Sequence, residues 1–367
     1  MKHGFPSRSA GMRKFIAVPA LILCGCTGVA TAAPEAAVTA VATPPGNQFD
    51  LSNWKITLPL DDNGDGKVDE VSVAKISDFR HPDFFYLNSE GGMVFAAPNK
   101  AKTTKNSSNT RSEFRQMLRG KNTRIKTHGA GNNFALQARK DADKFAAIGG
   151  KLEAVLHVDH VARNSANPKS KAAYSAVVGQ IHAVKYDNTK SGFGYGNEPI
   201  KIYYKKFPDH ETGSVFWTYE RNLAKDDPNR TDIAYAVFGN DWTDPSDPGA
   251  SGIPLGEEFG YTINVYGNTM YLTFESERLG TVKQSLSLVN NAGSGSPFDP
   301  LDNRYGYGGD SLYFKAGIYN QCSTKNDGSF WAAACAGTGD WETDKANGDY
   351  AQATFSKLTL GEGSPEK

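Results

Sequence analysis

Residues 175–187 read SAVVGQIHAVKYD, an apolar, β-branched run of the kind that builds a buried strand, yet Gln180 and His182 stand two positions apart inside it. Successive strand side chains point to opposite faces, so Gln180 and His182 share one face while Ile181 and Ala183 share the other. One face packs and the other carries polar chemistry. The same division recurs in TRSEFRQML, residues 110–118, where alternation sets Arg111, Glu113 and Arg115 against Ser112, Phe114 and Gln116. It recurs again in LYFKAGIYNQ, residues 312–321, with Tyr313, Lys315, Gly317 and Tyr319 opposite Phe314, Ala316 and Ile318. A curved sheet lined by such faces would form a cationic, hydrogen-bonding groove.

From residue 49 onward the chain consists of short β-rich segments separated by Gly, Asn, Asp and Pro. Strands are expected over 54–58, 92–96, 110–118, 133–138, 151–161, 173–184, 200–205, 214–220, 261–266, 269–275, 312–320 and 351–360. Gly267-Asn268 is a two-residue hairpin signature between two of them. Long helical periodicity is nearly absent, and no internal repeat or later linker is found. The pattern predicts an all-β chain, a single-domain antiparallel sandwich or jelly roll.

The N-terminus has a different character. Arg13 and Lys14 precede the apolar run 15–23, and Ala30-Thr31-Ala32 offers a small-residue cleavage site. Residues 1–32 read as a signal peptide, 33–48 as an Ala, Pro and Thr-rich spacer, and 49–367 as the folded domain. A second reading takes Leu23-Cys24-Gly25-Cys26 as a lipobox that would anchor the chain through Cys26. Either way the protein is expected to be secreted or periplasmic, with no integral membrane segment after processing. Cys322 and Cys335 then remain for the domain, and an even pair in an exported chain is most simply a disulfide, the alternative being two buried thiols. Lys plus Arg and Asp plus Glu both number 40, so no basic surplus supports nucleic-acid binding. A locally basic groove on a neutral protein can still take an acidic substrate.

Taken singly, an Arg-x-Glu-x-Arg row is an ordinary ladder of ion pairs and a lone strand histidine an ordinary structural residue. Together they are recognisable. RSEFRQ, QIH and YFKAGIYNQ resemble the signature blocks of the alginate lyases of polysaccharide lyase family 7; SNWKITLP at 52–59 and KIYYKK at 201–206 are also similar to segments of that family. The resemblance spans roughly residues 49–360 and implies a β-jelly roll that cleaves alginate by β-elimination. Alginate is a chain of mannuronate and guluronate, each with a carboxylate. Elimination removes the proton at C5 and expels the 4-linked oxygen, so the carboxylate must be neutralised and the developing enediolate stabilised.

By this resemblance Arg111 and Gln180 would bind the carboxylate at the cleavage subsite, His182 would be the general base, and Tyr319 would protonate the leaving oxygen. Tyr313 lies on the same face and the motif alone does not separate the two tyrosines. Glu113, Arg115, Lys315, Tyr313, Lys205 and Gln321 would complete the substrate-binding set, with Glu113 orienting the two arginines and held ionised by them. In that family isoleucine in the QIH block accompanies activity on guluronate-containing blocks and valine activity on mannuronate blocks, so the resemblance points Ile181 toward guluronate, with polymannuronate or another polyuronate as the alternative. The enzyme would act as a monomer on a polysaccharide and need no cofactor.

Two weaker signals remain. The segment between Cys322 and Cys335, containing Trp331, looks like an insertion beside the third signature strand. DDNGDGKVDE at 61–70 matches the early positions of an EF-hand with Asp61, Asn63 and Asp65, but Ser72 replaces the bidentate glutamate, so a polar turn competes with a structural calcium site. Two other functions compete as well. A glycoside hydrolase would need two positioned carboxylates, and no suitable run is present. A non-catalytic carbohydrate-binding module would account for the basic groove and the aromatics Trp217 and Tyr219, but not for a base and an acid on one face.

Overall fold

Strand alternation resolves into two face-to-face sheets in the computed structural model, which describes Met1 and residues 43–185, 194–290, 298–324 and 333–366. The expected signal peptide and lipobox, most of the spacer, and Trp331 lie outside the described residues. Among the described residues the larger sheet has ten strands, and its main path runs in the order Asp232–Phe238, Ser214–Glu220, Ile200–Lys205, Ser175–Ala183, Leu312–Asn320, Arg111–Gln116, Trp54–Thr57, Glu70–Val71. The seven-stranded sheet runs Gly280–Ser287, Thr269–Ser276, Phe259–Tyr266, Gly150–His160, Tyr350–Gly361, Met93–Pro98, Phe85–Leu87. Pairing along both paths is antiparallel, and the architecture is the expected β-jelly roll.

The inner faces of the two sheets supply one core. Phe114, opposite the polar row of its strand, stacks on Trp54 at 5.3 Å and meets Phe95 and Phe85 edge-on at 5.0 and 5.4 Å. Ile181, Phe314, Ala316 and Ile318 join the same cluster. These contacts hold the three signature strands side by side, with Leu312–Asn320 between the other two. The Gly267-Asn268 hairpin forms as expected, Tyr266 pairing with Thr269. Cys322 and Cys335 form a disulfide with Cα atoms 5.5 Å apart.

Several elements differ from expectation. Asp232–Phe238 and Gly280–Ser287 are strands that sequence reading does not predict. Both lie at sheet edges, where polar residues blunt the apolar alternation. Of the strand expected over 133–138, only Phe134–Ala135 is paired. A bulge shifts the phase of Ser175–Ala183: Val178 packs in the main core, whereas Val177 sits on the opposite face with Tyr203 and Tyr319. Gly179 marks the bulge, since a Cβ there would enter the ring of Tyr261, whose hydroxyl donates to the Val178 carbonyl at 3.0 Å.

Gly317 is the second constrained glycine. Its φ is +129°, and an added Cβ would lie 2.6 Å from the Ser112 carbonyl oxygen and 3.0 Å from Glu113 Cα. Gly317→Ala is expected to destabilise the fold by about 2 kcal/mol or more. Thermal denaturation checks this, and an unchanged midpoint would show that the strand does not need this backbone.

Candidate active site

Antiparallel register brings the polar faces of the three signature strands together on the face opposite the core. Tyr313 pairs with His182, Lys315 with both Gln180 and Arg115, Gly317 with Glu113, and Tyr319 with Arg111. At the centre is the Glu113 carboxylate, 2 % exposed. Arg111 Nη1 donates to its Oε2 at 2.8 Å, Lys315 Nζ donates to the same oxygen, and Gln180 Nε2 donates to Oε1. Burial would raise the pKa of Glu113, but Lys315, Arg111 and the hydrogen bonds from Lys315 and Gln180 hold it below the ordinary carboxylate value. Two cations against one carboxylate leave a local positive surplus. Burial and the nearby Arg111 outweigh Glu113 at Lys315 and bring its ammonium down to about 8.

Glu113 does not orient two arginines, as the sequence suggested. Arg115 sends Nη1 to the Gln116 carbonyl and Nη2 to the Thr127 carbonyl and Asn133 Oδ1, at 3.0 and 2.8 Å. Its guanidinium lies 4.0 Å from the centre of the Tyr313 ring, so it braces that tyrosine from within the protein. Lys315 takes the place beside Glu113 that was expected for Arg115. Phe114 and Gln116 face away from the site as expected, and Gln116 Oε1 accepts from the Phe314 amide at 3.2 Å.

The two tyrosines have different surroundings. Tyr313 stacks on His182 with ring centres 5.3 Å apart, and burial pushes its hydroxyl up to about 12. Tyr319 lies under Arg111, 3.9 Å from guanidinium to ring centre, and its hydroxyl is 3.1 Å from Ser107 Oγ. Burial lowers the pKa of His182, and although Glu198 opposes this, Lys315 and Arg111 add to it, so the ring favours its neutral form. Two polar atoms in this cluster are buried without a partner, Arg111 Nε and Gln180 Oε1.

Lys205 and Gln321 are placed apart from this cluster. Lys205 is four positions along its strand from Lys201, which pairs with Gln180, and its ammonium donates to the Lys171 and Ala173 carbonyls. Burial brings it down to about 7. The Gln321 amide donates to the carbonyl of Ser175, the residue paired with Lys205, so the two share one end of the sheet. In the 61–70 turn, Asn63, Asp65 and Asp61 accept from backbone amides of the turn itself, and Lys102 lies 3.0 Å from Asp61. Among the described residues no group of three or more His, Cys, Asp and Glu side chains is arranged to hold a metal ion.

Sequence reading missed a charged cluster beside His182. Lys201 Nζ lies 3.0 Å from Asp232 Oδ2 and 3.5 Å from Glu198 Oε2, while Arg230 reaches Glu220 at 2.6 Å. Alternation in KIYYKK places Lys201 and Lys205 on one face, which is the only local signal of it. Glu198 precedes its strand and Asp232 belongs to the edge strand that was not foreseen.

Glu113→Gln is expected to cost about 3 kcal/mol, because it leaves Arg111 and Lys315 buried against each other without their anion. Chemical denaturation measures this, and a variant as stable as the parent would show that the cations relax into solvent.

Comparison with known proteins agrees with this geometry. The alginate lyase family model matches residues 49–362. An alginate lyase of Klebsiella pneumoniae is 34% identical over 328 residues, covering 87% of this chain and 92% of the relative. The crystal structure of the Klebsiella pneumoniae alginate lyase superposes with a TM-score of 0.68 at 32% identity, over 88% of this chain and 99% of that one. The exolytic PL7 alginate lyase AlyA5 of Zobellia galactanivorans gives a TM-score of 0.68 at 35% identity, over 87% and 97%. With its three signature strands adjacent in one sheet, the chain belongs to the alginate lyases of polysaccharide lyase family 7.

Proposed function

We propose that this lyase binds a uronate carboxylate with Arg111 and Gln180, removes the C5 proton with His182 and protonates the leaving oxygen with Tyr319. The observation that carries the reading is that Arg111 and Gln180 meet at the buried Glu113, with Tyr319 against Arg111 and His182 beside Gln180 on the same strand face. Arg111 Nε is a spare buried donor, and Gln180 Nε2 retains a second N–H beyond the one given to Glu113. Lys315 adds positive charge for a polyanionic chain. A neutral His182 suits a base. The choice of Tyr319 over Tyr313 is supported by Tyr319 lying against Arg111, the proposed carboxylate ligand, whereas burial pushes the Tyr313 hydroxyl up to about 12, far from an operating pH near neutrality.

Elimination gives oligosaccharides ending in a 4,5-unsaturated uronate at the non-reducing end. In guluronate the C5 proton and the leaving oxygen lie on opposite sides of the ring, so separate base and acid are needed, and His182 with Tyr319 meets that need. Ile181 also supports a preference for guluronate-containing blocks; it lies in the core beneath Gln180 and His182, so it would act through their placement. The disulfide supports export to an oxidising compartment.

Ultraviolet absorbance of the conjugated product, followed separately on polyguluronate and polymannuronate, tests the reading. His182→Ala and Tyr319→Phe should each lower kcat by about 10²–10⁴-fold, and the faster substrate should be polyguluronate. A folded protein with no absorbance rise on either polymer would sink the catalytic assignment, and an equal or faster rate on polymannuronate would overturn the block preference. The pH profile has two expected limbs. Activity should rise with pH through a His182 value below the ordinary histidine range, because the base must be neutral. KM should then rise as Lys315 loses its proton near pH 8, and Lys315→Met should remove that second limb.

A further inference from the structure

His182 has a hydrogen-bond partner at one ring nitrogen and an anion beside the other. Nδ1 lies 2.6 Å from the Ala183 carbonyl oxygen, and Nε2 lies 3.2 Å from Glu198 Oε1. With the Nδ1–H given to Ala183, the neutral imidazole keeps its lone pair at Nε2, and an anion 3.2 Å from that atom favours the imidazolium. The surroundings therefore complement the state that His182 reaches after taking a proton. Interactions that strengthen as the proton arrives favour the chemical step over ground-state binding. We propose that Glu198 is the positioning residue of the base, its carboxylate lying beside Nε2 and stabilising the charge of the imidazolium formed when His182 accepts the C5 proton. This deepens the lyase reading above and rests on it.

The proton balance is simple. The Nε2 lone pair takes the C5 proton, and the C5–H electron pair becomes the new C4–C5 π bond. The C4–O4 electron pair leaves with O4, which takes the Tyr319 proton. The imidazolium then donates from Nδ1 to Ala183, and the Glu198 carboxylate, 3.2 Å from Nε2, offsets its charge until solvent removes the extra proton.

Glu198 is equipped to remain an anion. Burial would raise its pKa, but Lys201, 3.5 Å away, and His182 itself hold it well below the ordinary value. Its backbone amide donates to Glu220 Oε2 at 2.9 Å. Burial and the charge of Glu198 push Glu220 up, so Glu198 keeps the negative charge of the two. The other groups around the ring are the stacked Tyr313 and Lys315 from the adjacent strand and Arg111 from the strand beyond it. Both cations disfavour an imidazolium, and Glu198 is the anion that offsets them.

The test compares Glu198→Gln with the full-length parent on polyguluronate across pH. Removing the carboxylate takes away a charge that favours the imidazolium, so the acid limb of kcat/KM should move down by about one pH unit. The plateau kcat should fall about tenfold with little change in KM. Magnetic resonance of ring-labelled histidine, without substrate, should show the same downward move for His182. A folded Glu198→Gln with both the limb and the His182 titration unmoved overturns the proposal, and so does an unmoved titration accompanied by a loss of activity alone. Should Glu198→Gln not fold, Glu198→Asp carries the test, because it draws the carboxylate back and should shift both readouts the same way by less; no shift overturns the proposal. A parent protein with no product absorbance would defeat the lyase reading, while the histidine titration would still report on the contact between Glu198 and His182.

Discussion

The Glu113 carboxylate, shared by Arg111 and Lys315 and reached by Gln180, is the contact around which the outer face of the larger sheet is arranged. These residues come from three strands, and Lys315 is 202 positions from Glu113 in the chain. An isolated carboxylate buried this deeply would be strongly disfavoured, as would either cation. Assembled, they satisfy one another and still leave a positive excess. The cluster is a structural tie across three strands and, in the function proposed here, the electrostatic basis of the polyuronate site.

The opposite face of the same strands makes this possible. Phe114, Ile181, Phe314, Ala316 and Ile318 are buried in the core between the two sheets, and their packing sets the height and register at which the polar rows stand. A one-residue slip would exchange the two faces. The bulge at Val178 and Gly179 is a local departure from that rule, and it moves Val177 to the outer face beside Tyr203 and Tyr319. Gly317, with no Cβ to strike Ser112, lets the central strand lie close to Glu113.

The charges around His182 act in two directions. Burial with Lys315 and Arg111 keeps the ring neutral, whereas Glu198 favours its protonated form. The base role proposed for His182 needs both: a free lone pair at the start, and stabilisation of the cation once the proton has moved. Lys201, Asp232, Glu220 and Arg230 extend this balance into the next strands, where acids and bases alternate across the sheet.

Much of the fold and site could be read locally. Period-two alternation placed Gln180 with His182, Arg111 with Glu113, and Lys315 with Tyr319, because side-chain direction in a strand depends only on position parity. The core residues on the other parity followed by the same rule, and the family blocks supplied the chemistry. Parity cannot say which strands are neighbours. Lys315 rather than Arg115 meets Glu113 because register across the sheet is decided by packing of the opposite face, and Arg115 finds the Thr127 carbonyl and Asn133 instead. Glu198 was invisible for a related reason, since it lies outside any alternating run and approaches His182 only when its strand pairs with Ser175–Ala183. The sequence by itself determined most of the strands, their two faces and the residue types gathered on the outer one; the tertiary structure alone decided the edge strands and which charges touch, because those contacts join chain segments that only burial of the shared core brings together.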